Sequence, residues 1–130
     1  MNNLLELRDI SKSYSGVTVL EGVNVTLAPG EVLCFVGENG AGKSTLIKII
    51  SGAIQPDGGK LTLFGDVFES LQPRQAINLG IATIYQEIDM VDNLTVADNI
   101  FLGEEIRNKY KMIERKEQEK QADILLSKMK

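Results

Sequence analysis

Apolar and polar residues alternate twice near the start of the chain. Leu5 and Leu7, with Ile10 further on, stand among polar neighbours, and Val23, Val25 and Leu27 alternate with Asn24 and Thr26. A period of two marks half-buried strands, so the region from Leu4 to about Leu27 reads as β structure. Pro29-Gly30 then makes a tight turn of type II. The run Glu31-Val32-Leu33-Cys34-Phe35-Val36 is short, apolar and rich in β-branched residues, as a strand buried on both faces would be.

The period then changes. Leu46, Ile47, Ile49 and Ile50, interrupted by Lys48, predict a helix from about Lys43, with Gly52 as its stop. Gln55-Pro56-Asp57-Gly58-Gly59 is a turn, Lys60 to Phe64 a short strand, and Gly65-Asp66 a second turn before Val67-Phe68. Pro73 suits a first helical turn, so Pro73 to Leu79 reads as a short helix ended by Gly80. Gly80 to Tyr85 is a second candidate for a buried strand. After Gln86 the character shifts. Thr95-x-x-Asp98 is a variant capping box ahead of a helix through Leu102, with Gly103 as its stop. From Met112 onward the pattern is helical. Ala122, Leu125, Leu126 and Met129 form an apolar stripe, and Glu and Lys cover the other face as a solvated surface.

The chemistry concentrates between the first buried strand and the helix after it. Gly37-Glu38-Asn39-Gly40-Ala41-Gly42-Lys43-Ser44-Thr45 fits the phosphate-loop pattern G-x-x-x-x-G-K-[ST]. A phosphate needs backbone N–H donors converging on its oxygens, and side chains would block that approach. Gly37, Gly40 and Gly42 remove the Cβ and permit unusual dihedrals. Lys43 reaches the β- and γ-oxygens as a point charge, and the Ser44 hydroxyl suits magnesium. Thr45 adds a hydroxyl near the α-phosphate, and the helix aims its positive end at the anion. The expected ligand is a nucleoside triphosphate, ATP, with Mg2+.

Composition narrows the alternatives. The 130 residues are 43% hydrophobic and 25% charged, an ordinary globular balance. A net charge of −4 gives no support for a nucleic-acid partner. No apolar stretch is long enough to cross a bilayer, and the N-terminus carries no secretory signal. The lone Cys34 reads as a small core residue rather than a reactive thiol. Together these favour the cytoplasm. The chain contains no histidine, so catalysis would have to use carboxylates, lysine, backbone donors or magnesium.

Tyr14, the Gly37–Thr45 loop and Gln86, in that order, resemble the N-terminal part of an ABC-transporter ATPase. The stretches GENGAGKSTLIKIISGAIQPDGG, GIATIYQE and NLTVADNIFLGEE are most similar to ATP-binding subunits of bacterial sugar importers of the ribose, xylose and galactoside type. The resemblance covers nearly the whole chain and is least firm after Arg107. It implies an α/β fold: a partial P-loop NTPase core (ABC ATPase) with an N-terminal antiparallel β portion and the start of a helical subdomain. The expected division is 1–86 for the core and 87–130 for the truncated helical part. The resemblance makes Tyr14 the aromatic that stacks on adenine, with Val19 flanking the base. By position alone Tyr14 is an ordinary strand-end tyrosine. Asn39 and Ala41 join the three glycines, Lys43, Ser44 and Thr45 as nucleotide contacts. Gln86 becomes the glutamine that ligands magnesium or orients water, which places it with Lys43 among the catalytic residues and with Ser44 among the metal ligands.

The implied partners are membrane permease subunits, a second nucleotide-binding domain and, indirectly, a sugar-binding protein. The implied location is the cytoplasmic face of the inner membrane. The resemblance also marks what is not in the sequence. No LSGGQ-like signature, no apolar strand ending in Asp-Glu and no switch histidine follow. The chain therefore reads as an N-terminal fragment that does not turn over alone, with sheet edges and apolar helix faces left exposed. The alternatives are a non-hydrolytic nucleotide-binding or interaction module and a soluble ABC ATPase with no transport role.

Overall fold

The computed structural model describes residues 3–84 and 90–129. The chain divides into two compact units, Met1–Ile84 and Tyr85–Lys130. In the first, β1 (Leu5–Tyr14) and β2 (Val17–Leu27) form a long antiparallel hairpin. The α-helix α1 (Lys43–Ile50) follows, then β3 (Gly58–Leu63), β4 (Asp66–Phe68) and α2 (Pro73–Asn78). The strands make one antiparallel sheet in the order β2-β1-β3-β4.

The alternating pattern explains which side of this sheet is covered. Leu5, Leu7, Leu61 and Leu63 are buried and face Leu46 and Ile49 of α1, with Leu71 and Ala76 in the same cluster. Ile10 is also fully buried, three residues after Leu7 rather than two. The extra residue is absorbed by a bulge, where the register slips between Leu7 and Ile10 and Asp9 takes a left-handed φ of 53°. Asn24 holds the bulge, its Oδ1 accepting the Asp9 N–H at 3.0 Å. The predicted turn at Pro29-Gly30 closes through the Glu31 N–H, which donates to the Ala28 carbonyl at 3.2 Å.

Two expected strands do not form. Residues 31–36 and 81–84 have no strand assignment, and the sheet is antiparallel throughout. Val32, Val36 and Ile84 are almost fully exposed, at 88%, 94% and 97%. Their composition suits a strand flanked on both sides, but among the described residues no strand runs beside either segment. Backbone N–H and C=O groups without a neighbouring strand gain nothing from extension. Cys34, expected in a core, is exposed for the same reason.

The second unit contains α3 (Val96–Ile100) and α4 (Arg115–Ser127), which pack together. The Thr95 hydroxyl caps α3, accepting the Asp98 N–H at 3.1 Å and donating to Asp98 Oδ2 at 2.9 Å. Only half of a reciprocal box is present, because the other Asp98 oxygen accepts from Gln118 Nε2 at 3.3 Å. Gln118 is 1% exposed, and its Oε1 also accepts the Ile106 N–H at 3.0 Å. This one amide ties α4 to α3 and to the loop between them. Both helices are shorter than their patterns suggested, and of the α4 stripe only Ala122 is buried. Gln118→Leu keeps the bulk but leaves both partners unmatched, so it is expected to destabilise this unit by about 1–3 kcal/mol in urea titrations.

Candidate functional site

The phosphate-loop sequence folds as a loop entering a helix. Residues 39–42 turn, and α1 begins at Lys43. The Ala41 N–H donates back to the Glu38 carbonyl at 3.2 Å, and a Cβ on Gly37 would touch that of Ala41 at 3.2 Å. Gly42 is the N-cap of α1, with φ 84° and ψ 0°. It has no room for a side chain: a Cβ there would lie 2.6 Å from Leu20 Cδ2 and 2.8 Å from the Val19 carbonyl oxygen. The end of the loop is thus seated directly on β2, which fixes where the α1 axis points.

No side chain caps α1, and its first turn holds no acidic residue. The first amides of a helix have no intrahelical acceptor, so those of Lys43, Ser44 and Thr45 face outward as donors beside a positive helix end. Ser44 is exposed and Thr45 half-buried. The Lys43 ammonium folds back across the loop and donates to the Gly37 carbonyl at 2.6 Å and the Glu38 carbonyl at 2.7 Å. The loop therefore concentrates a cation and converging N–H donors, the chemistry a polyphosphate requires. The adjoining hollow of about 330 Å³ shares Ala41, Gly42 and Lys43 with the loop, and Leu20, Val23, Val25, Phe35 and Leu46 make its other walls apolar.

Magnesium fits this donor set only as a phosphate complex. Among the described residues no three His, Cys, Asp or Glu groups come together to hold a metal ion. The Ser44 hydroxyl is available as one oxygen donor, and a magnesium ion usually takes most of its remaining oxygens from phosphates and water.

Tyr14 ends β1 opposite Val17 and is 44% exposed. Val19 lies three residues after Gly16 on β2, and its backbone touches Gly42. The loop and this end of the hairpin are thus neighbours. Gln86 lies outside the described residues. The sequence reading missed the support beneath Tyr14. Lys12 Nζ sits 5.6 Å from the Tyr14 ring centroid and donates to Asp57 Oδ1 at 2.6 Å. Lys12 and Tyr14 are two apart on one strand, hence on one face, which was a legible signal for the first contact. The bond to Asp57 spans 45 residues and left no local trace. Hydrogen bonds from the Lys12 ammonium and then the Ser13 N–H hold the Asp57 carboxyl below its ordinary pKa.

The ABC transporter family pattern matches residues 20–130. The chain belongs to the ABC transporter family. Among its ABC relatives, a ribose import ATP-binding protein of Rubrobacter xylanophilus is 49% identical over 129 residues, covering 99% of this chain and 26% of its own length. A xylose/arabinose import ATP-binding protein of Sulfolobus acidocaldarius is 44% identical over 125 residues, covering 96% of this chain and 50% of its own. The crystal structure of a nucleotide-free ATP-binding cassette from an ABC transporter superposes with a TM-score of 0.71 at 29% identity, over 79% of this chain and 41% of that one. The fold class expected for an ABC ATPase, a partial P-loop core, therefore holds. The chain spans about a quarter of the length of the ribose import relatives it matches.

Two ways of placing a methyl group separate strain from collision. Gly42→Ala adds a Cβ against the β2 backbone and is expected to cost about 2–4 kcal/mol. Gly16→Ala, also at positive φ but with open space around it, is expected to cost about 1 kcal/mol. Equal midpoints for the two variants in urea denaturation would contradict the packed contact.

Proposed function

We propose that this chain binds ATP with Mg2+ in the Gly37–Thr45 loop and forms the nucleotide-binding part of an ATPase that energises sugar import. The observation that carries the reading is the head of α1: an uncapped helix start, fixed on β2 by Gly42, with the Lys43 ammonium across the loop. In this reading the amides of Asn39 to Thr45 surround the phosphates, and Gly37 and Gly40 keep the approach open. Lys43 exchanges its two carbonyl acceptors for β- and γ-oxygens and orients the terminal phosphate. Magnesium, when bound, neutralises charge on those oxygens, and Ser44 and Gln86 are the residues that would hold it. Tyr14 takes the adenine ring on its exposed face, flanked by Val19.

The sugar-import reading is supported by the import ATP-binding proteins that match nearly the whole chain. It carries the expected partners with it: permease subunits, a second nucleotide-binding domain, and a sugar-binding protein at one remove. It also assigns 1–86 to the nucleotide-binding core and 87–130 to the start of a helical subdomain. No helix among the described residues is long and apolar enough to cross a membrane. From the import ATP-binding relatives we assign the chain to the cytoplasmic face of the inner membrane, attached through its partners.

Lys43→Ala is expected to abolish Mg-ATP binding in equilibrium titration, and a cell whose gene carries it should no longer take up labelled ribose or xylose. Binding equal to the parent's would remove the phosphate-loop assignment, and intact uptake of both sugars would remove the transport assignment. Tyr14→Ala should weaken ATP by about 1–3 kcal/mol and leave inorganic tripolyphosphate unchanged. An equal loss for both ligands would count against stacking.

A further inference from the structure

The β1–β3 ladder stops at Ser11 and Gly58, yet β1 runs on to Tyr14. Beyond Ser11, among the described residues, no strand lies beside β1 on the side away from β2. Asp57 takes that place. Its N–H donates to the Ser11 carbonyl at 2.8 Å, its Oδ1 accepts from Lys12 Nζ at 2.6 Å, and its Oδ2 accepts the Ser13 N–H at 2.7 Å. One residue thus grips three successive residues of β1, the last of them adjacent to Tyr14. The Lys12 side chain is only 16% exposed, and Asp57 is its carboxylate partner. So placed, the ammonium lies against the Tyr14 ring, while that residue keeps 44% of its surface free.

We propose that Asp57 is a positioning residue for nucleobase recognition: it extends the sheet edge with its side chain, parks the Lys12 ammonium against the Tyr14 ring, and so holds the ring ready for the base. The inference rests on the reading of Tyr14 as the adenine platform. A tyrosine at a free strand end samples several rotamers, and stacking on it would require ordering the ring and the strand at the moment of binding. Here the ordering is done beforehand by Asp57, through a part-buried cation that occupies one region of the π surface. A cation on a ring also draws electron density toward itself, and the opposite face remains for a flat, polarisable ligand.

The test compares ATP with inorganic tripolyphosphate, which has the phosphates and no base, on the full chain and its variants. Asp57→Asn keeps the shape but weakens the grip on Lys12. It is expected to weaken ATP roughly three- to tenfold, a fraction of the stacking contribution, and to leave tripolyphosphate within about twofold. Lys12→Met, which keeps the stem and removes the ammonium, should give the same selective loss, and Asp57→Glu should recover part of it. In a Tyr14→Ala background, Asp57→Asn should add nothing to the loss of ATP affinity.

An equal loss for both ligands in Asp57→Asn and Lys12→Met would show a structural brace alone and overturn the proposal. So would an unchanged ATP affinity in both variants, or an undiminished Asp57→Asn effect in the Tyr14→Ala background. Failure of the platform reading looks different: Tyr14→Ala itself would then not separate ATP from tripolyphosphate. Should Asp57→Asn fold poorly, Lys12→Met alone decides, because it leaves the carboxylate bond to the Ser13 amide in place.

Discussion

Everything at the candidate site depends on one close approach, that of the Gly42 backbone to Val19 and Leu20 on β2. With a Cβ excluded to within 2.6 Å, only glycine lets the helix start that near the sheet. The consequence reaches in two directions. Toward the core, it sets Leu46 and Ile49 in one buried cluster with Leu7, Ile10 and Leu61. Toward solvent, it presents the first amides of α1 at a fixed place and angle beside the hairpin that ends in Tyr14. Packing and ligand chemistry share a single contact, so a change at this glycine affects both at once.

Local chemistry was the readable part of the sequence. The alternating leucines of β1, the Pro29-Gly30 turn, the start of α1 at Lys43 and the threonine cap of α3 each follow from a few neighbouring residues, and each is found where its pattern placed it. The bulge at Asp9 was not readable, although Ile10 sitting one place out of phase was its only trace. The Glu31–Val36 run was read as a buried strand because its composition suits that surrounding, but composition reports what a segment prefers and not whether neighbours are at hand. Segments 31–36 and 81–84 therefore stay irregular, with Val32, Val36 and Ile84 in solvent and only Phe35 and Ile81 leaning on the core.

At the candidate site, the loop residues stand out in the sequence because the proposed phosphate binding would demand particular residue types at fixed spacings. Tyr14 was legible only by resemblance, since a tyrosine at a strand end is common on any sheet. The part proposed for Asp57 leaves no trace in the sequence. In the sequence it is the aspartate of a Pro-Asp-Gly turn, a role that accounts for it fully. Only the folded chain brings its carboxylate to Lys12 and Ser13.

The lysine that closes the loop has a further implication for how affinity responds to solution conditions. In the free chain Lys43 already satisfies two acceptors, both uncharged carbonyls. In the proposed reading, anion capture would swap those for charged oxygens without raising the tally of bonds that the ammonium makes. What is gained is Coulombic, at a partly solvated position, and such a gain shrinks as mobile ions gather round both partners. Under the proposed function, occupancy of this loop would be coupled to the ionic strength of its surroundings.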